Sequence, residues 1–220
     1  MRERLGDYIK CIKEAQQAVR TILHPNKYTG KKMTVSETLS FYYKVGGMSF
    51  VLAAVVELAV YWFGGGATKI SGVLGLYTRL FGFGLPEPFA NIVMTAIVLL
   101  VIAPLSFFIN SAIYQFVCKD IFGIWKGNYS RTFTASVFSY LPIALLFWGL
   151  MLPYVHPLFM VAAVIWSLIV LLISLSNQQN ISVLKAAGAV LLTALSVMVV
   201  IMMLGFAIGL ALRHLVPAII

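Results

Sequence analysis

Long apolar runs dominate the chain. Between Phe133 and Leu212, about eighty residues contain a single charged side chain, Lys185. Similar runs lie upstream at Phe41–Phe63 and Phe89–Val117. A helix that crosses the hydrocarbon core of a bilayer needs roughly 20 mostly apolar residues, whereas a soluble domain cannot cover so many consecutive apolar side chains. The pattern predicts an integral membrane protein.

The uninterrupted runs predict an all-α bundle of five transmembrane helices, at about residues 39–63, 89–117, 132–152, 157–176 and 183–212. Residues 1–38 are predicted to form a cytoplasmic, basic, amphipathic segment, and residues 213–220 a short extracytoplasmic tail. Local polar residues indicate where helices begin. The candidates are a capping box of Thr34 with Glu37, Asn128 or Ser130 for the third span, and Asn180 or Ser182 for the fifth.

Charge sets the predicted orientation. The chain is 61% hydrophobic and 10% charged, with a net charge of +9. Nine of the sixteen basic residues lie in the first 44 positions, without any nucleic-acid-binding motif. With the N-terminus inside, thirteen Lys and Arg face the cytoplasm and three face outward. We therefore predict a cell-membrane protein with a cytoplasmic N-terminus, an extracytoplasmic C-terminus and anionic lipid headgroups as partners.

The N-terminal segment has a helical repeat of apolar residues. Its apolar face comprises Leu5, Tyr8, Ile9, Ile12, Val19, Ile22 and Leu23, and its polar face comprises Lys10, Lys13, Glu14, Gln17 and Arg20. Basic amphipathic helices of this kind lie in the membrane interface. Two alternatives are docking on the protein's own bundle and docking a protein partner on the cytoplasmic side.

Two polar positions inside the spans are candidates for a functional site. Glu57 lies about six residues from the outer end of the first span, and it is either a cation or proton site or an ion-pair partner of Lys69 or Arg79. Asn110 follows Pro104 in the second span, where proline kinks the helix and frees a carbonyl. Asn110 is either part of a polar notch or an interhelical hydrogen-bond donor.

The sequence contains no motif that is typical of an enzyme active site. We find no catalytic triad, no paired carboxylates, no phosphate-binding glycine loop and no residues at metal-ligand spacing, so we predict neither catalysis nor a metal or cofactor. Gly205 and Gly209 form a GxxxG motif, which is typical of close helix packing. This packing leaves a homo-oligomer open.

Three short patches share a pattern with a known family. Pro25 and Tyr28 place an aromatic residue after a proline before the first span. A glycine-containing loop, 127–133, leads into Tyr140 and Pro142, an aromatic-x-Pro pair in the third span. Trp166 is followed by the polar turn 177–182 and the pair Lys185-Ala186. Over residues 20–212 the chain resembles the Yip family of Ypt/Rab-interacting membrane proteins, in its compact prokaryotic branch.

The resemblance implies five spans with the N-terminus inside, and a scaffold role in membrane organisation or trafficking. It also implies one cluster formed by Tyr140, Pro142, Trp166 and Lys185. The Asp-Leu-x-Gly-Pro motif and the long acidic tail of the eukaryotic members are absent, which argues against Rab binding. We therefore predict a non-enzymatic membrane scaffold. The alternative is a small-solute, ion or lipid transporter or channel that uses Glu57 and the Asn110 region.

Overall fold

The computed structural model describes residues 13, 16–63, 87–152 and 155–215, which contain no strand. Five helices are long and apolar enough to cross a membrane. They are span 1 (Val35–Phe63), span 2 (Glu87–Ile121), span 3 (Tyr129–Leu146, extended by a 3-10 turn, Phe147–Met151), span 4 (His156–Gln179) and span 5 (Val183–Leu215). The predicted all-α bundle is confirmed, and it is consistent with a multi-pass integral membrane protein.

Helix caps make several spans longer than their apolar runs. Span 1 begins at Val35, four residues before the predicted start, because Thr34 and Glu37 form the predicted capping box. The Thr34 N–H donates to Glu37 Oε2 at 2.8 Å, and the Glu37 N–H donates to Thr34 Oγ1 at 3.2 Å. Asn128 caps span 3 by accepting from the Arg131 N–H at 3.3 Å. Span 4 continues through Gln179, so the predicted polar turn begins three residues too early.

Span 2 is irregular at two places. Its α-helix is interrupted by π-helical turns at Val98–Ile102 and Phe116–Ile121. In the first turn the Ala103 N–H bonds to the Val98 carbonyl, so the next carbonyl, that of Leu99, would need an N–H from residue 104. Pro104 has none. The Tyr42 hydroxyl of span 1 donates to the Leu99 carbonyl at 2.7 Å instead.

Span 3 forms the centre of the bundle. Of its most apolar window, 67% is buried, compared with 6% for span 5. Phe133, Val137, Phe138 and Leu141 are fully buried in span 3, which packs most extensively against span 4. The described buried residues of span 5 lie in its first third, where Ala186, Ala189 and Thr193 are close to Cys118. Its later part, 198–208, is exposed all round.

Consecutive spans alternate in direction, so the connections 24–34, 122–128 and 180–182 meet at one end of the bundle. We call this the basic end, because most described cations lie at or near it: Lys27, Lys31, Lys32, Lys44, Lys119, Lys126, Arg131 and Lys185. The other end carries Phe63, the start of span 2 and the turn between spans 3 and 4.

Residues 16–34, which we call the N-terminal segment, are docked on the bundle. They contain two helical stretches, 16–23 and Pro25–Tyr28. Ala18 is fully buried in a cluster with Phe41, Val45, Phe138, Leu141 and Val170. Docking on the protein's own bundle is the alternative that the structure supports.

The face of the N-terminal segment that packs overlaps only in part with the predicted apolar face, since Ile22 packs against the cluster around Ala18. Ala18 and Thr21 are buried, whereas Val19 and Leu23 are exposed. A small residue allows close approach to the spans, while the larger side chains remain available to lipid. Leu5, Tyr8, Ile9 and Ile12 lie outside the described residues.

Candidate functional site

Two groups of polar side chains within the described bundle are candidates for a functional site. A hydrogen-bonded network lies at the basic end, and a carboxylate–amide pair lies between spans 1 and 2 towards the other end. Both consist of residues that the apolar runs place on different helices, so only the packing brings them together.

The first part of the network holds the N-terminal segment on span 4. The Gln178 amide donates to the carbonyl of Thr29 at 2.6 Å and to that of Lys31 at 2.8 Å. The neighbouring Asn177 amide donates to Thr29 Oγ1 at 2.8 Å. Further from the basic end, in the first half of span 4, Trp166 Nε1 donates to the Ile22 carbonyl at 3.0 Å. Three of these four bonds end on backbone carbonyls, so they fix the path of the segment and leave its lysine side chains at the surface.

The second part of the network joins spans 2, 3 and 4. The buried Gln179 amide donates to Thr132 Oγ1 at 2.9 Å, and that hydroxyl donates to Gln115 Oε1 at 2.7 Å. Gln115 in turn donates to the Gly127 carbonyl at 3.0 Å. The chain of bonds pairs the Gln179 amide N–H and the Thr132 hydroxyl, whereas the buried Gln179 Oε1 has no hydrogen-bond partner among the described residues. Such pairing matters because an unpaired polar group costs several kcal/mol in an apolar medium.

The carboxylate–amide pair is formed by Glu57 and Asn91. Asn91 Nδ2 donates to Glu57 Oε1 at 2.7 Å, and the Glu57 side chain is only 1% exposed. Thr95 is buried one turn further along span 2. Ionisable residues buried in spans are costly and most often functional. Lys69 and Arg79, the predicted ion-pair partners of Glu57, lie outside the described residues.

Asn91 is a residue that the sequence reasoning missed. The signal was present, because an amide near the start of span 2 has to lie at the same depth as a carboxylate near the end of span 1. Asn110, the predicted companion of Glu57, is exposed and lies nineteen residues after Asn91. At 1.5 Å per residue this is about 28 Å along the helix. Glu57 and Asn110 therefore do not form one site.

The four positions singled out by the family resemblance have separate neighbours. The Tyr140 ring packs with those of Tyr42 and Phe107, at centroid distances of 6.2 and 5.2 Å. Pro142 is buried inside span 3. Trp166 bonds to the N-terminal segment, as described above. Lys185 is exposed in the first turn of span 5, where its N–H donates to Ser182 Oγ at 3.3 Å. The predicted single cluster is thus dispersed over the bundle.

Metal-binding side chains are not grouped in the part of the chain that the structure describes, where no three His, Cys, Asp or Glu residues lie together. Cys118 is buried, and its sulfur lies 3.2 Å from Thr193 Oγ1 in span 5. This contact joins the second π-helical turn to span 5, and it gives the cysteine a packing role.

Comparisons of the chain with protein-family models, with curated proteins and with solved structures find no match. The resemblance to the Yip family therefore stays a prediction from three short patches. Beyond the helical, membrane-like architecture, any role of the chain has to be argued from its own geometry.

Proposed function

We propose that the protein is a non-enzymatic membrane scaffold, and that its basic end presents the N-terminal segment as a fixed surface on the cytoplasmic side. The observation that carries this proposal is the pair of bonds from the buried Gln178 amide to the Thr29 and Lys31 carbonyls. A segment bound through its backbone keeps its exposed cations, Lys27, Lys31 and Lys32, in fixed positions.

The charge distribution supports the orientation. An N-terminus inside the cell puts thirteen basic residues on the side of the leaflet that is rich in anionic headgroups. Each Lys or Arg near that surface contributes about 1 kcal/mol to the attraction between protein and membrane. The family resemblance supports a role in membrane organisation or trafficking. A protein partner would bind the exposed surface of the N-terminal segment, and a homo-oligomer would use the exposed part of span 5.

Photo-crosslinking in cells tests the scaffold. A photoreactive residue at Lys27 should give a discrete protein adduct, which Gln178→Ala should weaken because the segment is no longer held. A photoreactive residue at Lys126, on the exposed loop before span 3, serves as the control that should not respond to Gln178→Ala. Adducts to lipid alone at both positions would contradict a protein-binding scaffold.

The buried Glu57–Asn91 pair favours a second candidate function, a small-solute or ion transporter or channel. The test is flux into proteoliposomes that contain the wild type or Glu57→Gln, which removes the charge but keeps the shape. Glu37→Gln is the control, since Glu37 is an exposed capping residue. Flux that only Glu57→Gln abolishes would overturn the scaffold proposal, whereas absence of flux from folded protein would support it.

A further inference from the structure

An open polar cleft lies at the basic end, between the N-terminal segment and the first turns of span 1. Its volume is about 420 Å³. Lys31, Lys32 and Lys44 line it together with the hydroxyl-bearing Ser36 and Ser40. We call this the basic cleft. Glu37 also lines it, with its carboxylate held by the N–H and hydroxyl of Thr34, so the cleft contains three cations and one anion.

An apolar groove continues from the basic cleft along span 1. It is shallow and open, with a volume of about 530 Å³, and all of its lining residues belong to span 1: Lys44, Gly47, Met48, Val51, Leu52 and Val55. We call this the apolar groove. Lys44 borders both spaces. Gly47 leaves the surface low at this point, since it has no side chain and a carbon added here would stand in open space, with nothing within 4 Å.

Helical spacing arranges the two spaces as one stripe. Ser36, Ser40, Lys44, Met48 and Leu52 follow each other at intervals of four residues, so each is a neighbour of the next in a stripe that winds about 160° around span 1. The stripe changes from hydroxyl to cation to apolar side chain with increasing depth. From Lys44 to Val55 the groove extends about 16 Å, which is about half of the roughly 30 Å hydrocarbon core and hence the depth of one leaflet.

We propose that the basic cleft and the apolar groove together bind one anionic phospholipid. The lysine ammonium groups and serine hydroxyls are donors for the phosphate oxygens, and one acyl chain lies along Met48, Val51 and Val55. A free phosphate would use the cleft and leave the groove empty. The inference rests on the proposed orientation only in placing this lipid in the cytoplasmic leaflet.

Lipid binding to the purified full-length protein tests the proposal without reference to orientation or partner. The protein in neutral detergent is titrated with phosphatidylglycerol or with phosphatidylcholine of the same acyl chains, and bound lipid is counted by native mass spectrometry. We expect one phosphatidylglycerol to be retained in preference to phosphatidylcholine. Lys31→Gln/Lys32→Gln/Lys44→Gln should lower its affinity about tenfold or more.

A matched variant separates a defined site from diffuse attraction. Lys119→Gln/Lys126→Gln/Lys185→Gln removes the same charge from exposed positions at the same end and outside the cleft. It should leave the affinity within about twofold. Equal losses in the two triple variants, or no preference for the anionic lipid, would overturn the site.

The groove is tested separately. Val51→Trp fills the groove and should lower the affinity for phosphatidylglycerol several-fold. Val161→Trp, at a similarly exposed valine of span 4, should leave that affinity unchanged. Inorganic phosphate should compete with the lipid only at far higher concentration. If phosphate competes equally well, or if Val51→Trp has no effect, the ligand is not a phospholipid. Failure of these tests would leave the crosslinking at Lys27 unaffected, so the two proposals fail separately.

Discussion

At the scale of single residues, the absence of one side chain decides how closely the spans meet at the basic end. A side-chain carbon on Gly127 would collide with the Gln179 side chain, whose Cδ would lie 2.7 Å away. Gln179 is buried and bonded to Thr132, so it cannot move aside without breaking that bond. The glycine of the loop before span 3 is therefore required by packing.

We expect Gly127→Ala to lower the free energy of unfolding by about 1–2 kcal/mol, through loss of the Gln179–Thr132 bond. Gly188→Ala is the control, because nothing lies within 4 Å of its added carbon, and it should not destabilise. Thermal unfolding in detergent measures both. In a Gln179→Ala background the cost of Gly127→Ala should fall; an unchanged cost would show that the collision is not the cause.

Tyr42→Phe should destabilise the protein by about 1–3 kcal/mol, because it leaves the buried Leu99 carbonyl without its donor. Tyr43→Phe removes a hydroxyl from the adjacent, 45% exposed ring and should cost little. In a Pro104→Ala background, residue 104 regains a backbone N–H, so the loss from Tyr42→Phe should be smaller. Equal destabilisation by Tyr42→Phe and Tyr43→Phe would contradict this account of the π-helical turn.

Contacts within one helix end could be predicted from the sequence, whereas contacts between different elements could not. The bonds between Thr34 and Glu37 and the Asn128 cap follow from spacings of three residues, which the sequence displays directly. The ends of the apolar runs put Glu57 and Asn91 at a similar depth, but their bond and the Gln178–Thr29 bond also require that the two elements turn these side chains towards each other. Spacing within one helix carries no information on that relative rotation.

At the scale of elements, the N-terminal segment is held by few direct bonds over a short length. Ala18 is buried among spans 1, 3 and 4, and Trp166 and Gln178 bond to its backbone. The helical repeat predicted a helix here with its apolar face in the membrane interface; Val19 and Leu23 of that face are exposed, whereas Ile22 packs against the bundle. In a membrane protein, apolar side chains gain little by moving from lipid to protein, so the apolar face need not be the buried one.

Gln178→Ala should release residues 24–34 while the spans stay folded, since it removes two bonds to this segment and none between spans. Hydrogen–deuterium exchange should therefore rise at residues 24–34 and remain unchanged in span 3. Leu184→Ala, at an 83% exposed position, is the control. Faster exchange throughout spans 3 and 4 would mean that Gln178 stabilises the whole bundle.

At the scale of the whole molecule, the number of spans was predictable and their arrangement was not. Five apolar runs gave the five helices, because the hydrocarbon core fixes the length of each. Span 3 is central and span 5 peripheral, yet span 3 is the least apolar of these helices and span 5 one of the more apolar. Thr132, Thr134 and Ser136 explain the difference, since polar side chains are placed where helices can satisfy them.

The predicted orientation leads to a direct test of topology. In a variant without Cys11 and Cys118, a cysteine at Lys126 should react with a membrane-impermeant maleimide only after the cells are opened. A cysteine at Phe63, which is 92% exposed at the other end of span 1, should react in intact cells. The reverse pattern would place the basic end outside the cell, and it would move the proposed lipid site to the outer leaflet.

The bonds of the N-terminal segment also have a consequence for biosynthesis. Ile22, Thr29 and Lys31 bond to span 4 residues that lie 144 to 149 positions later in the chain. At about 5–20 residues per second, the ribosome needs roughly 7–30 s to make that interval. Until then the segment has been translated but the span that holds it has not. Its docking therefore cannot precede the insertion of span 4, and a docked segment marks a nascent chain whose first four spans have been made.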